Sequence, residues 1–240
     1  MMLLNGYRKV AHRGLHAAEK GIPENSLPAF RAAAEAGYAI ELDVHRALDG
    51  TLVVFHDHDL RRMTGARGTV ERTDLRSLRR LRLGGTACAI PLLREALACV
   101  GGRVPLLIEL KNGGLPGGLE RALVRELAGY RGPVILESFN PLTVWWLRRH
   151  APHLVCGQLA CRKYEGLRGG LRAFALRHML FNCISRPQFV AYELGGITEK
   201  LRRKCRRQKL PLLAWTVRTP EEGRLARARS DGMIFEAIRP

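Results

Sequence analysis

VPLLIELKNGGLPGGLERALVRELAGYRGPVILE, residues 104–137, is the stretch whose reading decides the fold. The apolar run Val104–Leu110 reads as a strand, Leu119–Ala128 as a helix, and Val134–Glu137 as a second strand. Strands alternating with helices imply a parallel sheet. The alternation continues in both directions. On the N-terminal side lie strand Tyr7–Ala11, helix Ser26–Ala36 capped by Ser26 and stopped by Gly37, and strand Ala39–Val44. A turn at Asp49-Gly50 leads to a hairpin partner, Thr51–Phe55, and Leu75–Leu83 and Leu92–Val100 read as helical. On the C-terminal side follow helix Leu142–His150, strand Leu154–Leu159, a helix from about Leu167 to Leu176 and strand Met179–Ile184. A poorly patterned stretch over Arg186–Glu193 precedes helix Thr198–Lys209, strand Leu212–Val217, helix Pro220–Ala228 and strand Gly232–Glu236.

Eight main strands, each save the last followed by a helix, in 240 residues predict an α/β fold: a (β/α)8 TIM barrel. An open doubly wound sheet is the runner-up, but no GxGxxG follows the first strand. Asp57–Gly101 is too long for one strand-to-helix loop, so a small insertion with its own short helix is expected after strand 2, at about 57–101. The expectation is one domain spanning 1–240.

Composition narrows the class. Hydrophobic residues at 46% and charged residues at 26% are globular usage and exclude a disordered or collagen-like chain. No apolar run approaches the ~20 residues of a membrane span, and the opening MMLLNGYRKVAHRG lacks the organisation of a secretion signal. Six cysteines without a CxxC pair argue against a zinc or thioredoxin motif and fit reduced thiols, so a cytoplasmic location is expected. The formal charge of +18, from 40 basic and 22 acidic residues, points to anions without choosing among them. Of the 40, 33 are Arg, a bias that genome composition explains as readily as function.

Functional groups of such a barrel gather at the C-terminal ends of its strands. Those ends hold His12-Arg13, Glu41 and Asp43, His56-Asp57, Glu109 and Lys111, Glu137, Trp215 and Glu236. Glu41 and Asp43 are two apart, so they share one face of their strand while Leu42 and Val44 share the other, and Glu109 and Lys111 repeat the pattern one strand later. Inward-pointing carboxylates cannot stay ionised and unpaired. A divalent cation resolves this, and a carboxylate set suits Mg²⁺ or Ca²⁺ better than zinc. An internal salt-bridge network with Lys111 and Arg13 is the plainer alternative, but the convergence of His12 and His56 on the same end favours a site, with the two as general base and acid.

AHRG (11–14), PENS (23–26) with Phe30, ELDVHRALDGTLVVFHDHDLRRMTG (41–65), IPLLREAL (90–97), IELK (108–111), WTV (215–217) and SDGMIF (230–235) together resemble the glycerophosphodiester phosphodiesterase family, in order and over nearly the whole chain. The resemblance implies a metal-dependent barrel hydrolase that cuts a small-molecule glycerophosphodiester into glycerol 3-phosphate and an alcohol. It implies Glu41, Asp43 and Glu109 as metal ligands, His12 and His56 as the acid–base pair, Arg13 and Lys111 as phosphate contacts, and Trp215 as an aromatic wall beside the glycerol. Asn25 fits a site contact and a helix cap equally. Arg218 stands where the family often has Asn, and Glu236 where it often has Asp, departures at the rim that bear on substrate preference.

Two other readings compete. KLRRKCRRQK (200–209), with seven basic residues in ten, suits a non-catalytic anion-binding or nucleic-acid-binding protein, although a solvated helix face accounts for it and no aromatic interleaves it. LRSLRRLRL (75–83) mixes Leu and Arg as a helix on an anionic membrane surface would, which would suit a lysophospholipase D-type activity on lysophospholipids. Its shortness favours packing on the barrel rim. Neither a specific nucleic-acid partner nor an oligomeric state is expected from the sequence.

Overall fold

In a computed structural model, which describes residues 4–164 and 170–240, eight parallel strands close into a barrel. They are β1 (Lys9–Ala11), β2 (Ala39–Arg46), β4 (Leu106–Leu110), β5 (Val134–Ser138), β6 (Val155–Ala160), β7 (Phe189–Glu193), β8 (Leu212–Val217) and β9 (Gly232–Phe235). β1 pairs with both β2 and β9, which shuts the ring. A short strand, β3 (Leu52–Val54), turns back antiparallel on the end of β2.

Helices α1 (Leu27–Glu35), α4 (Leu93–Val100), α5 (Gly118–Leu127), α6 (Pro141–His150), α7 (Gly170–Arg177), α9 (Glu199–Arg207) and α10 (Pro220–Arg229) occupy the crossovers; α2 (Arg61–Thr64), α3 (Leu75–Leu78) and α8 (Asn182–Ser185) are single turns. The helix expected from about Leu167 begins outside the described residues.

The strands are buried on both faces, so their apolar residues run unbroken and the period of two is visible only in what each face meets. Ile40, Leu42, Val44, Ile108, Leu110, Leu136 and Phe235 point outward to the helices. Val10, Ala39, Leu107, Ile135, Leu159, Phe189, Ala191, Leu213 and Ile234 fill the interior toward the N-terminal end. Gly157 sits opposite Phe189, whose ring would lie 2.4 Å from a Cβ there; the ring occupies the space that a side chain on β6 would need. Two residues further along the same inward rows, apolar side chains give way to Glu41, Glu109, Glu137, Trp215, His12 and Glu236.

The strand expected at Met179–Ile184 is instead the end of a turn leading into α8, and the strand of that unit is Phe189–Glu193, in the stretch without a clear pattern. Both segments are short apolar runs, which periodicity alone cannot assign. Position decides: Phe189 and Ala191 plug the barrel while Val190 and Tyr192 face the helices. The helix expected over Leu75–Leu83 is α3, which stops at Leu78, followed by a 3-10 turn at Leu83–Gly85.

Between β3 and α4 the chain forms a small cluster of its own around Val53, Phe55, Leu60, Val70, Leu78, Leu83 and Ile90. Leu78 and Leu83 are buried there, and Leu75 and Leu81 pack against it, so the Leu face of LRSLRRLRL is turned inward. In α9, Thr198 caps the first turn, Cys205 is buried, and the basic residues face outward with Arg202 paired to Glu199. Among the described residues no helix is long and apolar enough to cross a membrane.

Candidate active site

Strand register brings the acids together. Asp43 on β2 is level with Glu109 on β4, and Glu109 with Glu137 on β5, so three carboxylates stand side by side across adjacent strands. Like charges so placed repel. Glu41, Asp43 and Glu109 each offer an oxygen within 4.8 Å of the others, and all three are buried. Lys111 Nζ sits between Asp43 Oδ1 at 3.0 Å and Glu109 Oε1 at 2.9 Å.

That cation does not satisfy the group. Among the described residues, Asp43 Oδ1 has the ion pair but no aligned hydrogen bond, and Glu137 Oε2 has no hydrogen-bond partner. Burial, and then the neighbouring Asp43 and Glu109, raise the Glu41 carboxyl well above its ordinary range. Glu109 is pushed up to about 7 by burial, with Lys111 opposing. Burial acts the same way on Asp43, but Lys111, His56 and Arg13 outweigh it and hold this carboxyl below the usual range. A buried cluster of hard oxygen donors with orphaned lone pairs is a set that fits a divalent cation.

His12 and His56 sit at the same end of the barrel. The His12 amide donates to Phe235 O on β9, which places the ring beside Glu236; His12 Nδ1 lies 2.7 Å from Glu236 Oε2, and Nε2 lies 4.0 Å from Glu41 Oε2. His56 follows β3, and its Nδ1 lies 2.6 Å from Asp57 Oδ1. Both imidazoles therefore have Nδ1 tied to a carboxylate, which leaves Nε2 as the nitrogen open to another partner. Burial lowers the proton affinity of both rings, to about 4 in His56, although Glu236 pulls that of His12 upward.

Arg13 serves the acids twice. Its backbone, in the left-handed region at φ 54°, donates N–H to Glu41 Oε2 at 2.9 Å. Its guanidinium bonds Glu24 at 2.8 Å and lies 3.5 Å from Asp43 Oδ2, so both of its cationic contacts are carboxylates. The PENS segment divides its labour: Glu24 holds Arg13 and Arg62, Asn25 Nδ2 donates to Asp43 Oδ2 at 2.7 Å, and Ser26 Oγ accepts from Ala29 N to cap α1. Arg62 also grips Asp57 at 2.5 Å, which links the His56 loop to the His12 loop. Trp215 packs edge-on against Phe139, and Phe139 against Tyr164, to give an aromatic side to the mouth.

The residues singled out by strand ends and spacing thus converge in one place. Of the two roles the sequence offers Asn25, the structure selects the site contact, as the anchor of Asp43, and three further contributors carry no role in the sequence reading: Asp57 and Glu236 as the anchors of the histidines, and Arg62 as the clasp. Glu236, read from the sequence as a rim residue, is half-buried against His12, and Arg218 makes a close ion pair to its other oxygen.

The sequence matches the Glycerophosphoryl diester phosphodiesterase family over residues 12–239. This chain belongs to that family. A glycerophosphodiester phosphodiesterase of Caldanaerobacter subterraneus subsp. tengcongensis is 34% identical over 95% of this chain and 93% of its own length. Among solved structures, the Thermotoga maritima glycerophosphodiester phosphodiesterase superposes with a TM-score of 0.70 at 25% identity, over 95% of this chain and 94% of that one. An Oleispira antarctica phosphodiesterase, solved with its product sn-glycerol-3-phosphate, gives 0.80 at 22% identity over 95% and 92%, a likeness of fold. As a glycerophosphoryl diester phosphodiesterase family enzyme, the chain keeps its buried acids and both histidines at the barrel end where its fold class places functional groups.

Proposed function

We propose that this chain hydrolyses glycerophosphodiesters to glycerol 3-phosphate and an alcohol with Glu41, Asp43 and Glu109 holding Mg²⁺ or Ca²⁺. The observation that carries the reading is the pair of imidazoles, each with Nδ1 anchored by a carboxylate, flanking one cluster of under-satisfied buried acids. The metal, when bound, neutralises charge on the non-bridging phosphoryl oxygens.

The chain's own side chains do the rest. Lys111 and Arg13, turned from the carboxylates, supply cationic donors to the phosphodiester, with Arg offering a fork that matches two oxygens. Trp215, backed by Phe139, walls the glycerol. One histidine takes a proton through Nε2 from the nucleophile, which is water or the substrate's own glycerol hydroxyl; the other gives a proton through Nε2 to the departing alkoxide. A P–O bond forms to the nucleophile and the P–O bond to the alcohol breaks; water supplies the atoms added overall.

The test is release of glycerol 3-phosphate from glycerophosphocholine and glycerophosphoethanolamine, with Mg²⁺ or Ca²⁺ restored after chelation. His12→Ala and His56→Ala are expected to abolish release, and full activity in either would end the assignment.

A second reading has its own observation. Trp145 on α6, Leu171 and Phe174 on α7, and Leu180, Phe181 and Ile184 around α8 are large apolar side chains left exposed, Leu171 at 82%. Arg148, Arg149, Arg172, Arg177 and Arg186 accompany them in the sequence. Such a surface suits weak contact with an anionic membrane and a lysophospholipid substrate. Sedimentation with phosphatidylserine vesicles, lost in Leu171→Ser/Phe174→Ser, checks it.

A further inference from the structure

A second cluster of ligating side chains lies outside this chemistry. His45 Nδ1 and His58 Nδ1 each lie 2.7 Å from the same oxygen, Glu71 Oε1, and the two rings meet edge to face with centroids 5.0 Å apart. The three residues come from separate segments: the end of β2, the loop after β3, and the 3-10 turn Val70–Arg72 of the inserted segment.

The buried His45 fixes the chemistry. Its Nε2 lies 3.2 Å from the carbonyl oxygen of His56, which can only accept, so Nε2 carries the hydrogen. Nδ1 then presents its lone pair to a carboxylate oxygen, and His58 directs a second ring nitrogen at that same oxygen. A positive centre, either a proton that makes His45 an imidazolium or a metal ion, has to lie among these three atoms.

We propose that His45 Nδ1, His58 Nδ1 and Glu71 form a zinc-class metal site that fastens the inserted segment to the end of β2. Two imidazoles and a carboxylate are a borderline donor set that selects zinc over the hard ions suited to Glu41, Asp43 and Glu109. The Nε2–H bond from His45 to a backbone carbonyl is the outer contact that ligating histidines commonly make, and it holds the ring and tautomer in place.

Metal bonds of about 2.0–2.1 Å set donor separations near 3.3 Å in a tetrahedron, so the donors open by roughly half an ångström on binding. His58 and Glu71 are free to do so, with side chains 60% and 37% exposed. The fourth position goes to water from the groove of about 490 Å³ that both residues share with Lys111, Asn112 and Leu115. Ligands from three segments would add a cross-link to a small satellite core.

The test compares chelator-stripped wild type with His58→Ala and Glu71→Gln, two surface substitutions made independently, by calorimetric titration with zinc and by thermal melts. Any zinc taken by the catalytic carboxylates is common to all three, so the difference isolates this site. The expected result is one more zinc equivalent in wild type than in either variant. At zinc a hundred times the dissociation constant, Tm is expected to rise by roughly 5–10 °C more in wild type than in the variants. Equal stoichiometry and equal Tm response in all three proteins would overturn the proposal, leaving a shared proton as the positive centre. Both readouts are independent of hydrolysis.

Discussion

Replacing Glu236 tests whether the catalytic assignment extends beyond the residues in the familiar motifs. Glu236 Oε2 lies 2.7 Å from His12 Nδ1, and neither side chain is more than 18% exposed. Burial favours the neutral Glu236 carboxyl, but the bond to His12 and the charges of His12 and Arg218 overcome it and hold this group down to about 2, so a full negative charge faces the ring at neutral pH. A hydrogen bond to a charged group contributes about 1.5–3 kcal/mol against about 0.5–1.5 kcal/mol for a neutral one. Glu236→Gln keeps an acceptor and loses the charge, a deficit of about 1–1.5 kcal/mol, or roughly 5–15-fold in kcat/KM at 1.36 kcal/mol per decade. Glu236→Ala also leaves Nδ1–H without a partner, and the loss reaches roughly 10–150-fold. The direction on pH follows from the sign of the charge. The carboxylate stabilises the imidazolium, so its removal lowers the already depressed proton affinity of His12, and whichever limb of the kcat/KM profile belongs to His12 moves to lower pH. If that is the acid limb, His12 is the base; if it is the alkaline limb, His12 is the acid. The assay is glycerol 3-phosphate release across pH. A Glu236→Ala protein that keeps its Tm and more than half of wild-type kcat/KM, with an unmoved profile, would refute the reasoning.

Arg218→Asn removes only an exposed partner of Glu236, and exposed pairs contribute about 0–1 kcal/mol, so kcat/KM is expected to stay within about fivefold of wild type. Lys111→Met strips the cation that touches both Asp43 and Glu109; breaking a buried pair costs about 3 kcal/mol or more, or roughly 6–12 °C in Tm without divalent ions, and added Mg²⁺ or Ca²⁺ is expected to recover part of it in differential scanning calorimetry. Asn25→Leu removes the hydrogen bond to Asp43 Oδ2 while Ser26 still caps α1, so metal affinity measured by titration is expected to fall about 10–100-fold with helix content unchanged by circular dichroism. Gly157→Val forces a side chain into the space of the Phe189 ring, and a Tm loss of several degrees, without a change in KM, is expected.

The barrel was legible because its strands are buried on both faces and so appear as apolar runs separated by helical patterns. One unit was misplaced where two short apolar runs, Met179–Ile184 and Phe189–Glu193, compete for a single strand; only packing against Gly157 and the interior selects the second. The acids were legible because a spacing of two along a strand puts Glu41 with Asp43 on one face whatever the rest of the chain does. Their anchors were not. His12 and Glu236 are separated by 224 positions and meet only because β1 closes the ring against β9. Asn25 presented two local roles, and the structure divides them between Asn25 and Ser26. Arg62 lies inside the motif at 41–65, but its grip on both Glu24 and Asp57 depends on the fold of the inserted segment and has no signal in the spacing.

The charge of the chain takes on a different meaning at the barrel mouth than on its surface. Lys111 and Arg13 are the cations assigned to the phosphodiester, yet in this structure each is committed to carboxylates: Lys111 to Asp43 and Glu109, Arg13 to Glu24 and Asp43. Neither can leave Asp43 for an anionic substrate while the three clustered acids have no other counter-charge, because breaking a buried pair costs about 3–5 kcal/mol; Glu24, by contrast, keeps Arg62. Protonation relieves part of the conflict, since Glu41 and Glu109 hold protons more tightly than ordinary carboxyls, but Asp43 stays ionised. A divalent cation held by the three acids would relieve the conflict among them, releasing Lys111 from Asp43 and Glu109 and Arg13 from Asp43, while Arg13 keeps its bond to Glu24. On the proposed function, metal and substrate would then be linked through Lys111 and through Arg13 once Asp43 no longer holds it, and the surface excess of arginine would have no part in that coupling.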